Sequence, residues 1–128
     1  MATLTAQVKA DITGITSDTI KIDQTMTLAA LSGGVTSRSI NAAAHGSAEK
    51  IVEKDEINNG DFIYLRNRHA SEVLTIMLSA AATGEIDLRP SEWALFPTAN
   101  TVDILAFVKD GSVPSPAPVL EIGIFSTT

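Results

Sequence analysis

The chain has 128 residues and no cysteine, and its nine Lys and Arg stand against fifteen Asp and Glu, for a formal charge of −6. A disulfide framework and thiolate chemistry are thereby excluded, and the overall field opposes a nucleic-acid backbone or an anionic membrane. Hydrophobic residues make up 45% but aromatics only 5%, which predicts an aliphatic core beneath a surface of Thr, Ser and Ala, the palette of a β-sandwich. At this length one domain, 1–128, is expected, hiding about two-thirds of its unfolded surface. MATLTAQVKAD has no basic stretch ahead of an apolar core, and no run approaches the roughly 20 apolar residues of a membrane span. The expected protein is soluble and carries no export signal.

Along the chain, Leu4, Ala6, Val8, Ala10 and Ile12 share one parity while Thr5, Gln7, Lys9 and Asp11 hold the other. A period of two predicts a strand with one buried face, entered through a flexible arm over residues 1–5. TGITSD suits a turn, and the alternation resumes in Ile20, Ile22, Met26, Leu28 and Ala30 against Thr19, Lys21, Asp23, Thr25 and Thr27. Residues 32–50, with Gly33 and Gly34 in tandem, are expected as a long loop holding at most a short strand near Val35 to Ile40. INAAAHGSAEKIVEK is alternatively one or two helical turns, because Ala, Glu and Lys favour helix.

The Asn-Gly pair in NNGD readily takes positive φ, and FIYLRN follows it, apolar on both parities and therefore expected to be covered on both sides. VLTIMLS, Val73 to Ser79, follows after a short connection, so Phe62 to Ser79 is predicted as an antiparallel hairpin. AATG turns the chain into EIDLR, with Ile86 and Leu88 inward and Glu85 and Asp87 outward. PSE reverses it into a short strand from Trp93 to Phe96. TVDILAFVKDG and VLEIGIFS are two further apolar runs, separated by GSVPSPAP, which is stiffened towards polyproline II and serves as a rigid loop or, in a second reading, a ligand for an aromatic groove. The total is an all-β chain of about eight strands, an antiparallel, jelly-roll-like β-sandwich.

No chemistry-bearing motif stands out. There is no serine elbow and no phosphate-binding glycine loop, and an enzyme is not expected. His45 and His69 lie in separate segments without a partner set for zinc and are expected at the surface. With Asp55 as first position, a calcium loop fails at Ile57 and Arg66, where oxygen ligands are required. A looser set of Asp55, Glu56 and Asp61 competes with the commoner reading of a solvated charged run. No cofactor or metal is expected. Arg66, Arg68 and His69 form the one local cationic cluster, and Arg89 and Glu92 flank a turn.

Trp93, Phe96 and Tyr64 could make a stacking platform for a sugar or base. With one Trp, one Tyr and four Phe for a whole sandwich, service in the core is the commoner role. Trp93 and Leu95 share one parity and Ala94 and Phe96 the other, so one face of this strand is free to meet a partner.

From Asn58 to Phe125, the succession NNGDFIYLRN, VLTIMLS, EIDLRPSEWALFP, DILAFV and VLEIGIFS resembles the small all-β virion proteins of tailed bacteriophages, in particular head decoration or cement proteins. The likeness covers a little over half the chain, and its motifs are structural. It implies a jelly-roll-like sandwich, commonly trimeric, that sits on the outer surface of the head and binds the major capsid protein. On that resemblance Trp93, Leu95 and Phe96 are assigned to the contact between copies, and Thr3, Leu4, Thr5 and Ala6 to the contact with the shell. The competing readings are a tail structural component and a carbohydrate-binding β-sandwich using Trp93 and Tyr64.

Overall fold

The computed structural model describes residues 2–12, 20–30, 32–78, 85–99 and 101–126. Among them are ten strands and no α-helix, with single 3-10 turns at His45–Ser47 and Lys54–Glu56. The strands are β1 (Ala2–Ile12), β2 (Ile20–Ala30), β3 (Ser32–Ser39), β4 (Glu49–Val52), β5 (Phe62–Asn67), β6 (Leu74–Met77), β7 (Glu85–Leu88), β8 (Trp93–Pro97), β9 (Ile104–Val108) and β10 (Val119–Ser126). The predicted turns at TGITSD and AATG, and Ser79 at the end of one predicted strand, lie outside the described residues.

Eight of these strands form an antiparallel β-sandwich. One sheet has the order β3-β10-β5-β8 and the other β4-β9-β6-β7. Numbered from β3, these orders are 1-8-3-6 and 2-7-4-5, which is the jelly-roll arrangement. The expected fold class is therefore the one adopted, but the eight strands are not all the expected ones. β1 and β2 pair only with each other, Ala2 with Ala30 through Ile12 with Ile20, as a separate two-stranded ribbon. Their places in the sandwich are taken by β3, which extends the short strand allowed near Val35 to Ile40 back to Ser32, and by β4, which begins at Glu49 within the segment 32–50 expected as loop and runs on to Val52.

The tandem glycines explain that difference. Gly33 pairs with Phe125 on β10, and a side chain at Gly33 would meet the Phe125 ring at 2.5 Å. The glycine leaves room for an aromatic ring lying across the strand instead of marking a loop. The segment INAAAHGSAEKIVEK contains no α-helical turn; its middle makes the 3-10 turn at His45–Ser47 and its end makes β4.

The predicted hairpin from Phe62 to Ser79 is corrected too. β5 pairs with β10 and β8, while β6 pairs with β7 and β9, so the chain crosses from one sheet to the other between them. It crosses back between β7 and β8. Asn67, wholly buried, makes both crossings practicable. Its Nδ2 donates to the carbonyl oxygens of Glu72 at 2.7 Å and Leu88 at 2.8 Å, and its Oδ1 accepts the His69 N–H at 2.9 Å. His69 Nδ1 accepts the N–H groups of Ser71 at 3.1 Å and Glu72 at 2.9 Å. A strand that leaves its sheet abandons ladder bonds, and these side chains satisfy the orphaned groups. At the second crossing Pro90 and Ser91 fill a tight turn in which Ser91 has φ of 68° and Glu92 N–H donates to the Arg89 carbonyl at 3.0 Å. Glu92 Oε2 accepts the Arg89 backbone N–H at 2.8 Å, so these two residues meet through the backbone of one.

Between the sheets lies an aliphatic core. Ile63 and Leu65 of β5 and Leu120 and Ile122 of β10 face Leu74, Ile76, Ile104, Ala106 and Val108 of the opposite sheet, with Ile40, Val52, Ile57 and Leu88 closing the ends. Each Val, Leu or Ile side chain among them contributes about 1.5–3 kcal/mol when fully buried. A second, smaller cluster lies on the outer side of β6 and β9, where Met77, Leu105 and Phe107 are covered by Ala42 and Ala48. The segment carrying those alanines is clipped down by Val108 N–H donating to the Ala42 carbonyl at 2.8 Å.

Replacing Asn67 by alanine strands two carbonyls and one N–H in the interior and is expected to lower unfolding free energy by about 2–4 kcal/mol in a urea titration. Asn67→Asp keeps the shape but turns an oxygen towards two carbonyl oxygens, so it should destabilise at least as much as the alanine variant.

Candidate functional site

The outer face of the β3-β10-β5-β8 sheet is built from three cross-strand rows. Register places Gly33, Phe125, Phe62 and Pro97 in one row, Val35, Gly123, Tyr64 and Leu95 in the next, and Ser37, Glu121, Arg66 and Trp93 in the third. The inward parity of β5, Ile63, Leu65 and Asn67, is buried, whereas the outward Phe62, Tyr64 and Arg66 are half-buried. FIYLRN is apolar on both parities: one face lies in the core and the other looks out onto apolar material across a cleft.

The material on the outer side is the ribbon. Ala6 lies opposite Met26, Val8 opposite Gln24 and Ala10 opposite Ile22, so these residues share one ribbon face with Leu4 while Thr3, Thr5, Gln7, Lys9, Asp23 and Thr25 take the other. Gln7 Nε2 donates to Asp23 Oδ1 at 3.2 Å on the polar side. Ribbon and sheet enclose a cleft of about 970 Å³, bordered by Leu4, Ala6, Val8 and Met26 on one wall and by Tyr64, Arg66, Trp93, Leu95 and Phe125 on the other.

The sequence-predicted residues divide by parity. Trp93 and Leu95 stand on the cleft wall, but Phe96 points the opposite way and packs against the core with Ala94. Leu4 and Ala6 are half-buried on the apolar ribbon face, while Thr3 and Thr5 are exposed. Trp93 and Tyr64 share the sheet's outer face on adjacent rows. Val35, Phe62, Phe125 and Met26 complete the walls and were not singled out from the sequence; the double-sided apolarity of FIYLRN was the signal that something must cover this side.

Polar groups at one end of the cleft are tied together. The Tyr64 hydroxyl donates to Glu121 Oε1 at 3.0 Å, and Arg68 Nη1 approaches Glu121 Oε2 at 3.8 Å. Partial burial, and then the Glu121 carboxylate that accepts its proton, push the Tyr64 phenol above its ordinary range. The Nε of Arg66 is buried without a hydrogen-bond partner.

Elsewhere, His45 is exposed, sets its ring edge-on to Phe107 at 6.0 Å and lies 3.6 Å from Glu85. Asp61 is buried, accepting the Asn58 N–H at 2.8 Å just ahead of β5, whereas Asp55 and Glu56 are exposed. Among the described residues no group of three or more His, Asp or Glu is placed to hold a metal ion. No known family model matches the sequence, and comparison with curated proteins and with solved structures returned no match.

Tyr64 is the only tyrosine, so absorbance at 295 nm reports its ionisation alone. The midpoint should lie above that of a free phenol, about 10, and Glu121→Gln should lower it. A folded-state value raised above the unfolded one favours the neutral phenol, so this contribution to stability is complete below the ordinary phenol range and disappears as pH rises through the folded-state midpoint. A titration indistinguishable from free tyrosine would contradict the geometry.

Proposed function

We propose that this chain is a structural virion protein of a tailed phage, a head decoration (cement) protein that binds the major capsid protein on the outer surface of the assembled shell, acting as a homo-oligomer, most simply a trimer. The observation that carries the reading is where apolar surface is left uncovered. Among the described residues, the exposed large hydrophobics are Val8, Ile22, Val35 and Trp93, and all four belong to the apolar ribbon face or the outer face of the sheet opposite it. Uncovered apolar area gathered in one place marks a contact surface. A jelly roll closed on one side and adhesive on the other suits a part that reinforces a shell, where many weak contacts per particle combine into strong retention.

In this reading Trp93 and Leu95 serve contacts between copies, Phe96 holds β8 to the core beneath them, and the exposed Thr3 and Thr5 on the polar face of the ribbon meet the shell beside Leu4 and Ala6. A tail component would use the same surfaces. A carbohydrate-binding module is favoured by one observation, the half-exposed Trp93 beside Tyr64 and Arg66; isothermal calorimetry against a glycan panel separates it, since heat that vanishes in Trp93→Ala would support that module.

The direct test is co-sedimentation with empty shells and, separately, with tails, assembled from the virion proteins encoded alongside this chain. Saturable binding to shells is expected, weakened at least tenfold by Thr3→Asp together with Thr5→Asp without loss of thermal stability. Binding to tails alone moves the protein to the tail, and binding to neither removes the virion reading.

A further inference from the structure

The two sheets treat their outer faces differently. On the β4-β9-β6-β7 sheet, Met77, Leu105 and Phe107 are no more than 8% exposed, because the segment around Ala42 packs directly on them. On the β3-β10-β5-β8 sheet, the ribbon of the same chain stands off and leaves about 970 Å³ between itself and the face. A cleft of that size leaves the apolar groups on its two walls unpacked. Val8 on the ribbon and Val35 and Trp93 on the sheet border it and are 50%, 53% and 51% exposed.

We infer that in solution the ribbon is exchanged, the β1–β2 arm of one copy lying on the outer face of the β3-β10-β5-β8 sheet of a second copy. The ribbon belongs to neither sheet, so lifting it breaks no ladder. Within one chain the ribbon and the sheet face leave the cleft between them. Laid on another copy, the ribbon can close on that face to van der Waals contact. The exchange brings together two faces that already stand opposite one another in the single chain, and passing an identical element between copies is a low-cost route to oligomers.

The area suffices. Strands of eleven residues are about 36 Å long and a two-stranded ribbon about 10 Å wide, a footprint of about 360 Å². A copy that gives one ribbon and receives another covers two such faces, about 700 Å², close to the roughly 800 Å² per partner of a stable interface. The inference needs the cleft and not the virion assignment, and its test contains no shell, so the two fail separately.

Because the chain has no cysteine, introduced thiols report without background. Val8→Cys and Val35→Cys, both at half-exposed positions bordering the cleft, are made in differently tagged chains that are co-expressed and treated with a short bismaleimide. The expected product is a mixed covalent dimer carrying both tags, and the double variant in one chain should give a ladder of multimers. Crosslinking confined within single chains, or absence of the mixed species, overturns the exchange. As a second readout, Ala6→Glu with Met26→Glu places charge on the apolar ribbon face and should reduce the sedimenting species to a single chain with an unchanged far-ultraviolet spectrum. A wild-type protein that sediments as a single chain at tens of micromolar, or a charged variant that stays associated, also overturns it.

Discussion

A β-sheet has two faces, and a sandwich covers only one of each. Everything distinctive here follows from how the second face of each sheet is treated. Between the sheets, the alternation of aliphatic residues closes an ordinary core around Leu65, Ile76, Val108 and Leu120. Outside, β6 and β9 would expose Met77, Leu105 and Phe107, and the chain folds the Ala42 segment over them. Outside β5, β8 and β10, the equivalent residues are Tyr64, Leu95, Trp93 and Phe125, and they face a ribbon across an open cleft. The first solution packs the face, and the second leaves apolar surface open.

That asymmetry carries the functional reading. Tyr64 of the cleft is tied to Glu121, which Arg68 approaches in turn, while the aromatic and aliphatic residues beside it lie partly open. An amphipathic ribbon stands opposite a sheet face that carries apolar groups, and the proposed exchange between copies rests on that pairing. Thr3, Thr5 and Gln7 take the other parity of the ribbon, with Thr5 and Gln7 also bordering the cleft.

The fold class was legible because side-chain alternation is a local property. Leu4 to Ile12 and Ile20 to Ala30 alternate and are strands, while FIYLRN, apolar on both parities, is buried on one side and on the other is half-buried, facing the ribbon across the open cleft. Pairing was not legible, because it is nonlocal. Adjacent runs such as FIYLRN and VLTIMLS look like a hairpin, yet the buried Asn67 redirects the chain into the other sheet, and nothing in the run itself distinguishes a crossing from a turn. Gly33 was misleading for a related reason, since the aromatic that covers it, Phe125, lies far along the sequence. At the site, parity separated Trp93 and Leu95 from Ala94 and Phe96, but it could not say which face looks inward; register with β5 shows that Phe96 belongs to the core side.

The central claim is that the outer face of the β3-β10-β5-β8 sheet is a protein contact surface that is covered in solution. Trp93, the only tryptophan, stands on that face, so its emission maximum and its quenching by acrylamide across a dilution series report the cover directly. The account predicts blue-shifted, quencher-protected emission at high protein concentration that shifts to the red and becomes quenchable on dilution. Emission typical of a water-exposed indole, equally quenchable at every concentration, would contradict it.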